Sequence, residues 1–177
     1  MDSDATARSW TPIGTGTFSA ATALLVMGVW MYRSSGGEWI RVLDDANLVF
    51  HEAGHPLFGL AGSTLGLYGG TLGQLAFPVL CAGQFWFRRQ SASFALSLCW
   101  LFENFFNIAR YMADARAQVL PLVGSGDHDW ARIFTNWHVL SHDTSIASGV
   151  RFLGMMGLLS AWGWLAWRCY EDRGQSG

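Results

Sequence analysis

The sequence predicts an all-α, polytopic transmembrane helix bundle of about five spans, on three grounds. Hydrophobic residues make up 51% of the chain and charged residues only 14%. A soluble domain carries roughly 25% charge, so this surface is too poor in charge for water. Aromatic residues reach 15%, with ten Trp, which suits two lipid–water interfaces where indole rings anchor. The apolar residues also gather into five stretches, about 12–32, 46–68, 72–87, 91–112 and 150–167. A hydrocarbon core about 30 Å thick needs roughly 17–25 helical residues.

The 177 residues suit one integral membrane domain, 1–177. The first stretch follows MDSDATARSW, where Asp2 and Asp4 outnumber Arg8. A secretory signal needs a basic start and a small-residue cleavage site, so this stretch reads as a retained anchor. It ends at Arg33-Ser34-Ser35-Gly36-Gly37. The second stretch is expected to break at Gly69-Gly70, the third ends at Arg88-Arg89, and the fifth ends at Arg168. The tight Arg88-Arg89 hairpin and the C-terminal arginines orient the chain N-out, C-in. The fourth stretch carries Glu103, Asn104, Asn107 and Arg110. Glu103, Asn107, Arg110 and Asp114 follow at spacings of 4, 3 and 4, one polar stripe that reads equally as an internal ladder or as a site-facing surface. One long polar segment, 113–147, is interrupted by Pro121, Gly124 and Gly126.

Several function classes fall away. The formal net charge is −2 without a basic block, so no nucleic-acid partner is expected. Cys81, Cys99 and Cys169 are far apart and lack CxxC spacing, which excludes a disulfide framework and a thiolate metal site. No GxSxG or other serine-nucleophile pattern stands out.

The chemistry concentrates at His51-Glu52-Ala53-Gly54-His55. Residues four apart share a helix face, so His51 and His55 can offer two imidazoles to one Zn2+. Glu52 sits about 100° round and can act as general base on a zinc-bound water. Three ionisable side chains inside an apolar stretch are costly unless partnered, and a metal partners all three. Gly54 and Gly59 allow close helix packing, and Pro56 removes a helix hydrogen bond just beyond the motif.

These residues resemble the site-2 protease family of intramembrane zinc metalloproteases. The resemblance covers about residues 46–116: HEAGH, then Gly69-Gly70-Thr71, then Gly73-Gln74-Leu75-Ala76-Phe77-Pro78, then Asn107 to Asp114. It implies a PDZ-less metallopeptidase-like hydrolase, multi-pass in a bacterial inner (cytoplasmic) membrane. Glu52 would be catalytic, His51 and His55 would be ligands, and a transmembrane or juxtamembrane peptide would be the substrate. Asp114 would be the third zinc ligand, although Ala115 stands where the family has Gly. The chain is also similar to small bacterial membrane proteins with HEAGH and a later His-Asp-Trp, here His128-Asp129-Trp130.

Glu103 and His128 remain alternatives for the third ligand. On straight parallel spans beginning near Asp44 and Ser91, the histidines lie roughly 10–17 Å deep and Asp114 roughly 35 Å along, which favours Glu103. His128 would bring Asp129 as an adjacent carboxylate. Asn107 and Asp129 are expected to touch substrate or to support the ligands. His138 and His142 are also four apart, but without an intervening Glu they read as exposed residues of a surface helix. The competing functions are a non-proteolytic metal-dependent membrane enzyme and a structural metal-binding membrane protein. So small a bundle leaves room for a homo-oligomer.

Overall fold

The computed structural model describes residues 9–36, 39–123 and 127–174. Asp2, Asp4, Arg8, Gly37, Gly124 and Gly126, named above, lie outside those residues. The described chain is all helical, with no strand. Its helices are α1 (Thr15–Ser34), α2 (Leu43–Gly59), α3 (Ser63–Phe87), α4 (Ser91–Ala113), a short α5 (Asp129–Asn136) and α6 (Asp143–Gly174), the last preceded by a 3-10 turn at Leu140–His142.

Four of these, α1, α3, α4 and α6 with its leading turn, are long and apolar enough to cross a membrane. The expectation of five spans is corrected at the second stretch. The HEAGH helix α2 has 17 residues and opens with Asp44 and Asp45. At about 26 Å it stands at the short limit for a span, and Asp44, Asp45 and Glu52 make it more polar than the other four. The expected break at Gly69-Gly70 is also wrong. The chain turns at 60–62, where Gly62 adopts φ +124°, a backbone region that L side chains rarely reach. Gly69 and Gly70 lie inside α3. Pro56 stays within α2, which ends one turn later at Gly59. The expected segments 12–32, 91–112 and 150–167 become α1, α4 and the longer α6.

The glycines act in packing. α2 and α3 form an antiparallel pair in which Gly54 faces Gly69 and Gly73, and Gly59 faces Gly66. A Cβ at Gly54 would collide with the Gly69 carbonyl. Small residues four apart, such as Gly69 and Gly73, let two helix backbones approach in this way. α4 packs along α6 and against α3, while α1 touches α4 and α6 only lightly.

α2 does not run parallel to α4 as the depth estimate assumed. Asp44 meets Asn107, while Asn47 meets Glu103 and Trp100. Numbers rise along one helix as they fall along the other, so the depth comparison that favoured Glu103 fails. Glu103 and Asn107 of the polar stripe do not bond each other but spend their hydrogen bonds on α2 and α3.

The polar segment folds back onto the bundle. Its helix α5 buries Trp130, Ala131, Ile133 and Phe134 and leaves Arg132, Thr135 and Asn136 exposed, an amphipathic pattern at helical spacing. The buried face packs with Ile108, Ala109, Met112 and Ala115 at the end of α4 and with Ala147 of α6. The three cysteines are free.

Candidate metal centre

α2 places His51 and His55 one turn apart, with ring centroids 5.0 Å from each other. Each ring is held from behind. His51 Nδ1 lies 2.9 Å from Gln74 Oε1, and His55 Nδ1 lies 2.8 Å from the Gly66 carbonyl oxygen. Gly70, one turn beyond Gly66 on α3, leaves the space the His51 ring occupies: a Cβ there would fall on the imidazole.

These acceptors decide the tautomers. A backbone carbonyl can only accept, so His55 Nδ1 carries the proton. At His51 the same result follows from further out. Asn107 Nδ2 donates to Asp44 Oδ1, Gln74 Nε2 donates to Asn107 Oδ1 and Asn104 Oδ1, and Asn104 Nδ2 donates to the Trp100 carbonyl. The amide of Gln74 is thereby oriented with its oxygen toward His51. Asp44, Asn47, Gln74 and Asn104 are all nearly inaccessible to solvent, and a buried network of this kind is stable when every member is satisfied.

With both Nδ1 atoms protonated, both Nε2 atoms present lone pairs, and both face the same oxygen. His51 Nε2 is 3.0 Å and His55 Nε2 is 3.2 Å from Asp129 Oδ2. Three electron-pair donors converge. Protons on both imidazoles would satisfy the two contacts as ion pairs, and a metal ion would serve all three donors at once. The separations also suit the ion: tetrahedral zinc with ligands at about 2.0–2.1 Å sets its donors about 3.3 Å apart. Among the described residues, this is the group of His, Cys, Asp and Glu side chains whose ligand atoms all lie within 4.8 Å of one another. Comparison of the chain with protein-family models, curated proteins and solved structures finds no match. The centre is therefore read from its own geometry.

The third donor is Asp129, expected to touch substrate or to support the ligands. Asp114, expected as ligand, ends α4 and turns its carboxylate onto the backbone: Val119 and Leu120 donate to it at 2.9 and 3.1 Å. His128 is not in the group either. Its Nδ1 accepts from the Ala131 N–H, capping α5, and its Nε2 faces Asp114 Oδ2 at 3.4 Å. Burial holds this imidazole below its ordinary pKa, against the pull of Asp114 and Asp129. Asp114 and His128 thus position α5, whose first residue is Asp129. Glu103 accepts from Asn47 at 2.9 Å and also stands outside the group. Asn107 supports at one remove, through Gln74.

His138 and His142 do not pair. α5 ends at Asn136, His138 has φ +57°, and His142 belongs to the separate 3-10 turn. Both are exposed.

Glu52 lines a cavity of about 930 Å³ that also reaches His51, His55, Asp129, Tyr111 and Arg110. The run from Leu120 to Val123 also lines it. Sequence reasoning missed Gln74, Gly66, Gly70 and Tyr111 as parts of the centre. The one available signal was the spacing of Gly66, Gly70 and Gln74, which places all three on the same face of α3.

Proposed function

We propose that this chain is a membrane-embedded, zinc-dependent peptidase, multi-pass in a bacterial cytoplasmic membrane. The observation that carries the reading is the convergence of His51 Nε2, His55 Nε2 and Asp129 Oδ2, with both Nδ1 atoms tied to carbonyl oxygens. Three protein ligands beside a large cavity fit a catalytic site, since a structural zinc site is closed by four. When bound, zinc supplies a Lewis acid that polarises a carbonyl and acidifies water. Glu52, next to His51 in the same cavity, takes the proton of the attacking water as the new C–O bond forms. It returns that proton to the leaving amine nitrogen as the C–N bond breaks. The run from Leu120 to Val123 offers the substrate an apolar wall.

The test is metal analysis of purified protein together with hydrolysis of a reporter transmembrane peptide. The expected result is about one zinc per chain and cleavage abolished by Glu52→Gln with zinc retained. Full cleavage by Glu52→Gln, or purified protein that takes up no zinc, overturns the reading.

A further inference from the structure

Hydrolysis of a carbonyl compound places negative charge on the carbonyl oxygen in the transition state, and a preorganised donor near that oxygen is worth about 10²–10³ in rate. Glu52 cannot serve, because it is occupied with the proton of water. Tyr111 borders the same cavity, on the α4 side of the centre. Its position is fixed three times over. The ring meets His51 edge-on, with centroids 5.7 Å apart. It stacks on His128 with centroids 4.2 Å apart. The phenolic oxygen accepts the main-chain N–H of Asp129 at 3.1 Å. That bond uses a lone pair of the oxygen and leaves its hydrogen. Among the described residues no acceptor takes that hydrogen.

We propose that Tyr111 is the oxyanion donor of this centre, its phenol O–H hydrogen-bonding the substrate oxygen on which charge develops. The inference rests on the hydrolytic reading above and adds a residue to it. A purely structural tyrosine would receive the Asp129 N–H in the same way, so the two roles are separated by the affinity of an oxyanion probe. A donor role needs the hydrogen free, the ring immobile and the site adjacent, and all three hold here.

The variant is Tyr111→Phe, which keeps the ring and both of its stacking contacts. The full chain is loaded with Co2+ in place of zinc and titrated with acetohydroxamate, a small oxyanion probe, followed by visible absorption. Cobalt content is expected to stay near one per chain, while probe affinity falls about tenfold, the scale of one charge-assisted hydrogen bond. Reporter-peptide hydrolysis is expected to lose roughly 10²-fold in kcat with KM nearly unchanged. Equal probe affinity in both proteins overturns the proposal. So does loss of cobalt from Tyr111→Phe, which would make the tyrosine a positioning residue for Asp129. If probe affinity falls but no peptide is cleaved by either protein, Tyr111 stands as the donor and the peptidase reading falls.

Discussion

The chain contains two pairs of histidines four residues apart, and they meet opposite fates. His51 and His55 lie on one continuous helix, each ring anchored through Nδ1 and aimed through Nε2 at a common carboxylate. His138 lies in the break between α5 and the 3-10 turn, His142 lies in that turn, and both are exposed. Spacing alone is thus half of a ligand pair. The other half is a second layer of acceptors that fixes the tautomer and ring orientation, and only the first pair has one.

The largest contrast between the pairs is expected on removal of the shared carboxylate. Asp129→Asn should abolish zinc retention through purification, while His138→Ala combined with His142→Ala should leave the zinc content unchanged. Asp114→Asn should retain zinc, because its carboxylate holds backbone amides rather than the ion. Zinc content by elemental analysis reads all three proteins, and zinc lost from Asp114→Asn but kept by Asp129→Asn would reverse the ligand assignment.

The next effect is steric. Gly70→Ala places a methyl group on the His51 ring, so α3 must shift or the ring must turn. Zinc affinity should fall by more than tenfold, with stability lowered by about 1–3 kcal/mol as for other overpacked interiors. Gly83, in the same helix, has open space around its missing Cβ. Gly83→Ala should keep full zinc affinity and gain up to about 1 kcal/mol from helix propensity. Thermal unfolding and competitive chelator titration separate the two, and equal behaviour would refute the cradle.

An effect on affinity alone is expected in the acceptor layer. Gln74→Leu removes the oxygen that orients His51 but leaves all three ligands. Zinc affinity should fall about 10–100-fold, the usual range for such partners. Unchanged affinity would show that the His51 tautomer needs no support from α3, and that the difference between the two histidine pairs lies in helix continuity alone.

The helical class and most helix positions were legible because apolar runs and breaks are local properties. The breaks were less so. Gly69-Gly70 reads as an interruption in one dimension, yet in the structure it sits where α3 must touch α2 and the His51 ring. A glycine pair looks the same in sequence whether it bends a chain or admits a neighbour. The third member of the group was less legible for a related reason. The chain offers Asp114, His128 and Glu103 as candidates, and only the docking of α5 by Trp130, Ile133 and Phe134 brings Asp129 to the histidines.

The sequence by itself determined that two imidazoles and a carboxylate would share a short stretch of apolar helix, because residues four apart must lie on one face whatever surrounds them. The tertiary structure alone decided what completes the centre. Asp129 arrives from 78 positions beyond His51, and the carbonyl groups that set the tautomers come from α3. Spacing puts Gly66, Gly70 and Gln74 on one face of α3, but what that face meets, and where α5 docks, depend on how glycine-lined and aromatic surfaces fit together.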